Sequence, residues 1–173
     1  MHICFTHSGL AHAHAMYYMD NHEHLQPWEP TKSPDFYSIN QWVLRLHNRQ
    51  VEMDAGHTRY FVGLDDAKEN IIALCSLTNI TRGAMQSAYL GYSISRQYQG
   101  KGLMSKLVSH AIAHAFNDLK LHRIMANYMP NNKRSATLLH NLGFEKEGYA
   151  KQYLKINGKW EDHILTSLIN QHV

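Results

Sequence analysis

Gly100 and Gly102 flank a single lysine, and Gln97 stands three positions before the first of them, in the run RQYQGKGLM (96–104). A glycine has no Cβ, so the chain there can turn sharply and lie close to a ligand. Immediately afterwards Leu103, Met104, Leu107, Val108, Ala111, Ile112 and Ala115 recur at helical spacing, which predicts a helix starting with no linker. The first turn of a helix carries unpaired N–H groups and a partial positive charge. Turn and helix together describe a cradle for phosphate or another anion, with Arg96 and Lys101 adding charge beside it. A plain flexible strand-to-helix turn satisfies the same spacing. Neither the GxGxxG nor the GxxxxGKS/T pattern is present, which speaks against dinucleotide and P-loop readings.

Other residues are candidates for chemistry by type and place. Asn132 and Ser135 are three apart on a predicted helix and share a face. The run QPWEPTKSP (26–34) holds three prolines and reads as a loop. Its Trp28 and Glu29 suit a groove wall and a weak base, or equally a packing residue and a solvated carboxylate. Tyr149, Tyr153 and Asp162 are weaker candidates on a closing hairpin, and Asp162 reads more as a structural partner for a backbone or basic group. The histidine pairs His110/His114, His12/His14 and His22/His24 come without an HExxH pattern, so no metal site is expected. Cys4 and Cys75 lie in apolar runs and read as buried thiols, and neither sits beside a histidine in a nucleophile pattern.

The elements that position these residues follow from patterning. The chain has 173 residues, 44% hydrophobic and 18% charged, which fits one domain over 1–173 of ordinary globular composition. A formal charge of +3 is too small to argue for nucleic-acid binding, and most of the histidines are neutral at pH 7. No apolar run approaches the ~18 residues of a membrane span, and no secretory signal is visible; a cytoplasmic protein is expected. Strands are predicted at 2–5, 59–64, 70–77, 84–94, 121–129, 144–156 and 159–169. Helices are predicted at 8–21, 35–53, from 103 and at 132–142, the last ended by Gly143. In the second helix Phe36, Ile39, Val43, Leu44 and Leu46 roughly share a face. Asn157-Gly158 turns the final hairpin. The order β-α-α-β-β-β-α-β-α-β-β predicts an α/β (α+β) fold, one mixed sheet flanked by helices.

The pattern Gln97-x-x-Gly100-x-Gly102, after a strand and before a helix, resembles the pyrophosphate loop of the GNAT superfamily of acetyl-CoA-dependent N-acetyltransferases. The likeness follows the order of elements along about 170 residues, including Gly143-Phe144 at the end of the last helix. The runs PWEP (27–30), YLGYSI (89–94), HRIMANYMPNNKRS (122–135), LGFEKEGYAK (142–151) and NGKWEDH (157–163) resemble the bacterial ribosomal-protein-alanine N-acetyltransferases of the RimJ/RimL type.

That resemblance implies a mostly antiparallel sheet of about seven strands with about four helices, and a V-shaped splay between the fourth and fifth strands. It implies acetyl-CoA as cosubstrate, with no metal. Gln97, Gln99, Gly100, Lys101, Gly102, Leu103 and Met104 would hold the pyrophosphate, mainly through backbone N–H groups. Leu90, Gly91, Tyr92 and Ser93 would lie near the acetyl group, where strand N–H groups can bind an oxyanion, and Ile94 beside the phosphate loop. Asn132 would bond the pantetheine arm and Ser135 would lie near the sulfur. Many family members carry a Tyr as general acid four residues before the Gly-Phe pair; Leu139 stands there, which leaves Ser135 as the proton donor. A thiol of pKa ~8.5 leaves without a strong acid. Trp28, Glu29, Tyr149 and Tyr153 would border the acceptor. An α-amine of pKa ~7.7–8.0 is already partly neutral, so a weak base such as Glu29, or water, suffices. The acceptor expected is the N-terminal α-amine of a ribosomal small-subunit protein, met in a ternary complex by a monomer or homodimer. A small-molecule amine (polyamine, antibiotic or amino acid) and a non-catalytic RNA- or ribosome-docking module are the alternatives; the phosphate loop and the modest charge disfavour the module.

Overall fold

A computed structural model describes residues 1–171. Seven strands form one sheet: β1 (His2–Phe5), β2 (Arg59–Leu64), β3 (Ile71–Thr81), β4 (Ser87–Ile94), β5 (Arg123–Tyr128), β6 (Glu145–Ile156) and β7 (Lys159–Ile169). Their spatial order is β1-β2-β3-β4-β5-β7-β6, and every neighbouring pair is antiparallel except β4–β5. The helices are α1 (Ala11–Asp20), α2 (His22–Leu25), α3 (Ile39–Asp54), α4 (Leu103–Ala113) and α5 (Lys133–Asn141). That is five where about four were expected, because the single turn α2 follows α1 after Asn21.

The β4–β5 pair decides the architecture. Only Ser87↔Arg123, Ala88↔Ile124 and Tyr89↔Met125 are in register. Beyond them β4 stays on β3 as far as Ala73↔Ile94, while β5 stays on β7 as far as Tyr128↔Ile164. The two strands therefore diverge, and among the described residues the main-chain groups of Leu90–Ile94 that face β5 have no strand partner. This is the expected splay.

Alternation along β2, β3 and β4 sends side chains to two covers. Phe61, Cys75, Leu77 and Leu90 pack with Leu107, Val108, Ala111 and Ala115 of α4 and the turn that follows it. The predicted apolar stripe is thus the seam, and the helix continues as a π-turn, His114–Asp118. Val62, Leu64 and Ile71 face the other way, against Leu10, Ala13 and Tyr17 of the α1 region. Fully burying one leucine on either face contributes roughly 1.5–3 kcal/mol.

α3 differs from the expected face. Phe36 belongs to a separate 3-10 turn, Pro34–Tyr37, and the helix starts at Ile39 after Ser38, whose Oγ accepts from Gln41 N–H at 3.3 Å. Trp42, Leu46 and Met53 are buried; Ile39, Val43 and Leu44 are exposed. The indole of Trp42 stacks on the ring of His14 at 4.5 Å, and this ring pair fixes the rotation of α3 against the aliphatic count on its other side.

Candidate active site

The glycine turn forms as the sequence implies. Gly100 and Gly102 have φ of 73° and 72°, in the left-handed region that favours glycine. Gly102 caps α4 with no side-chain cap, and the first helical bond runs from Lys106 N–H to Gly102 O at 3.1 Å. Among the described residues no protein acceptor meets the N–H groups of Gly100 through Ser105. A Cβ built on either glycine meets no protein atom within 4 Å. The result is an open cradle of unpaired donors at a helix N-terminus, which fits a diphosphate. Leu103 and Met104 supply its first helical amides. Lys101 Nζ lies over the Tyr98 ring at 5.2 Å, and Gln97 is exposed.

The Gln99 side chain is engaged within the protein. Its amide nitrogen meets His24 Nε2 at 3.0 Å and its oxygen accepts from Arg134. His24 also contacts Ile94 O at 3.2 Å. Burial, then nearby Arg134 and Arg96, hold the His24 ring below its ordinary pKa, against the pull of the Ile94 carbonyl. Gln99 therefore ties α2 and α5 to the rim of the cradle. Arg96 N–H donates to Asn21 Oδ1 at 2.9 Å.

At the splay the α4-side face carries the sulfur-proximal candidates. Asn132 caps α5, its Oδ1 accepting from Ser135 N–H at 3.1 Å. Its Oδ1 is thus occupied, and among the described residues Nδ2 has no protein acceptor. The Ser135 hydroxyl shares a 2.5 Å hydrogen bond with Tyr92 OH. Burial pushes the Tyr92 phenol up to about 12, opposed by that hydrogen bond. Leu139 is fully buried in the α4-side core, so it adds no proton donor.

A cavity of about 210 Å³ lies over β2, β3 and β4 beside α1 and α3, and meets the gap at its β4 edge. Gly91 and Ser93 of β4 line it, with Tyr60, Ser76, His14 and Glu29 among the other walls. Glu29 is mostly buried, which raises its carboxyl above the ordinary range; Lys32 Nζ at 3.3 Å pulls it back. Main-chain pairing of Asn157 N–H with Glu29 O at 3.0 Å ties this loop to the tip of the β6–β7 hairpin. Ser93 Oγ meets Tyr17 OH at 2.8 Å. His14 is buried, with Nε2 on Thr6 Oγ1 at 2.8 Å, and burial lowers its pKa to about 3, helped by Arg49 and His7.

The hairpin candidates divide. Tyr153 OH accepts from Asn127 Nδ2 at 3.4 Å, and Asn127 lies on β5 just past the last β4–β5 pair, so Tyr153 stands at the gap. Tyr149 does not: it is exposed, and donates to Asp162 Oδ2 at 2.5 Å. Asp162 also accepts from Gln152 N–H at 2.8 Å and so shapes the strand irregularity between Ala150 and Leu154, the structural role expected of it. Trp28 ends a 3-10 turn, is 37% exposed and lines no part of the cavity. Sequence reasoning missed His14, Tyr17, His24, Arg49 and Arg134. These act through contacts across the fold, and only His14 and His24 were noticed, as members of histidine pairs. Among the described residues no three His, Cys, Asp or Glu gather as a metal group.

A pyrophosphate-sized cradle at a helix N-terminus, beside two parallel strands that part, defines a class. The model of the acetyltransferase (GNAT) domain matches residues 2–145. The [ribosomal protein uS5]-alanine N-acetyltransferase of Escherichia coli (strain K12) is 46% identical over 154 residues, 89% of this chain and 79% of that one. Among solved structures, the ribosomal-protein-S5-alanine acetyltransferase of Vibrio fischeri superposes with a TM-score of 0.95 at 44% identity, over 98% of this chain and 93% of that chain. Mycobacterium smegmatis RimJ, in complex with CoA-disulfide, superposes with a TM-score of 0.90 at 28% identity, over 99% and 82%. This chain belongs to the GNAT family of acetyltransferases.

Proposed function

We propose that the protein acetylates the N-terminal α-amine of a ribosomal protein that begins with alanine, using acetyl-CoA, in a ternary complex without an acyl-enzyme. One observation carries this reading. A donor cradle and the Ser135 hydroxyl lie at the β4–β5 gap, and a cavity lined by a single carboxylate meets that gap at its β4 edge. Such a gap lets an amine reach a thioester across the sheet. The identity to alanine N-acetyltransferases of ribosomal proteins supports the choice of acceptor.

Each residue then has a task. The amides of Gly100 to Ser105 hold the diphosphate, and Asn132 Nδ2 the pantetheine arm. Acetyl-CoA supplies an activated acyl group on a thiol that leaves easily. Unpaired N–H groups of β4 in the gap stabilise charge on the acyl oxygen. Glu29, with its raised carboxyl, takes the proton the amine sheds, directly or through water. Ser135 returns a proton to the departing sulfur, and the 2.5 Å bond to Tyr92 holds its hydroxyl in place. Cys75, buried with its thiol pKa raised by desolvation, is no nucleophile. A polyamine would want several carboxylates; the cavity offers Glu29 alone, opposed by Arg49. No helix among the described residues is long and apolar enough to cross a membrane, and a cytoplasmic site of action suits an enzyme for ribosomal proteins.

The test is direct. Purified protein, acetyl-CoA and a synthetic peptide beginning with alanine and containing an internal lysine are incubated and read by fragmentation mass spectrometry. Acetylation of the α-amine alone is expected. An untouched peptide alongside an acetylated polyamine contradicts the reading.

A further inference from the structure

Arg49 has no part in the chemistry described so far, yet it lines the same cavity as Glu29, Gly91 and Ser93. It projects from α3, and its guanidinium lies over the rings of Tyr60 at 4.4 Å and Trp42 at 5.1 Å. Among the described residues no carboxylate comes within ion-pair distance of it. A half-buried cation at a cavity wall with no anionic partner holds donors ready for a ligand. The two aromatic faces restrain its plane, so little freedom is left to lose on binding.

The cavity is thus dipolar. Glu29 sits at one wall and Arg49 at another, and Tyr18 lines the same cavity; its hydroxyl feels the negative charge of the first and the positive charge of the second. His14 lies behind, stacked on Trp42 and neutral, and adds no second cation. An amine alone matches only the Glu29 wall. A ligand that carries an acceptor oxygen next to its amine matches both. The α-amino carbonyl unit has that form; the terminal amine of a lysine side chain or a polyamine does not.

We propose that Arg49 is a specificity-determining residue that binds the carbonyl oxygen of the acceptor's first residue, so that the cavity selects α-amino carbonyl groups over other amines. This rests on the proposed α-amine acetylation, and it adds what separates an N-terminus from any other primary amine. A free amino acid presents the same unit as a carboxylate, so both sources belong in the test.

The experiment compares wild type, Arg49→Met and Arg49→Lys at saturating acetyl-CoA, with an alanine-initiated peptide, free alanine and isopropylamine, in which a methyl group replaces the carboxyl of alanine. Thermal unfolding and CoA affinity of each variant are measured alongside. Methionine keeps apolar bulk on the rings and removes the donors. For whichever of peptide and free alanine the wild type acetylates, KM is expected to rise about 10- to 100-fold in Arg49→Met, with kcat changed much less. Arg49→Lys, which retains charge but not the planar fork, is expected to fall between. Isopropylamine is expected to keep its kcat/KM, or its inhibition constant against the peptide where turnover is too slow to read. An equal loss on isopropylamine, or an unchanged KM for the α-amino carbonyl substrate, overturns the inference. Should Arg49→Met not fold, the same comparison with Arg49→Lys decides it. A wild type that leaves both the peptide and free alanine untouched while acetylating a polyamine contradicts the proposed function instead.

Discussion

Ser135, bonded to Tyr92 of β4, and Glu29, in the wall of the cavity that Gly91 and Ser93 also line, each make a separate prediction. Ser135→Ala removes a hydroxyl that Tyr92 holds at 2.5 Å, leaving the α5 cap intact because Asn132 bonds the backbone N–H of position 135. kcat is expected to fall about 100-fold, the low end for general acid catalysis with an easily departing thiol, while CoA affinity measured by calorimetry stays near wild type. Equal turnover removes Ser135 from the chemistry. Glu29 has a carboxyl raised by burial, so its basic form is lost as pH falls through a value above the ordinary carboxylate range. Glu29→Gln is expected to lower kcat/KM for the peptide about 100-fold at neutral pH and to remove the carboxylate limb from the pH profile of kcat. A profile unchanged in shape assigns the proton to water. At this scale the sequence was legible where a residue acts beside its neighbours in the chain: Asn132 with Ser135, and Asp162 as a structural partner. It was silent on Tyr92 holding Ser135, which joins positions 43 apart, and it pointed to Tyr149 and Trp28, which the fold keeps out of the cavity.

The α4 N-terminus is the element that most needs its glycines. At Gly100 a side chain must adopt φ of 73° but meets no protein atom. Gly100→Glu is therefore expected to cost about 1–2 kcal/mol of stability and still fold, while a carboxylate in the cradle weakens CoA binding at least about 100-fold, as read by calorimetry. Retained affinity rules out this loop as the diphosphate site. The glycine turn, the apolar stripe after it, Gly143 ending α5 and Asn157-Gly158 between β6 and β7 were all legible, because each is a local rule of backbone conformation or periodicity. The facing of α3 was not. Counting aliphatic residues favoured Ile39, Val43 and Leu44, whereas the helix turned on the stacking of Trp42 with His14 and Tyr18, a choice made between elements. The extra turn α2 carried no periodic signal in four residues.

Across the whole molecule, one sheet with a cover on each face leads us to propose that residues 1–171 unfold in a single cooperative transition. Its pH dependence has a specific contributor. His14 has a folded pKa of about 3 against 6.5 when unfolded. A depressed histidine pKa costs nothing above pH 6.5, where the ring is neutral in both states. As pH falls below 6.5 the unfolded chain takes up the proton and the folded one does not, so stability declines by up to roughly 1.4 kcal/mol per pH unit until about pH 3. His14→Phe keeps an aromatic face for Trp42 and is expected to flatten the slope of unfolding free energy between pH 6 and 4 by up to one proton. An identical slope in the variant means His14 is not buried as the structure has it. The order of elements and the splay were legible at this scale through the likeness of motif order along the chain. The dipolar cavity was not, because its walls come from α1, the proline-rich loop, α3 and three strands.

The most direct test of the account is a crystal structure with CoA and an alanine-initiated peptide bound together. The diphosphate should rest on the amides of Gly100 to Ser105 and the sulfur beside Ser135, with the peptide amine entering from the opposite face between Glu29 and Arg49. A diphosphate seated elsewhere, or a peptide entering from the α4 face of the sheet, contradicts it.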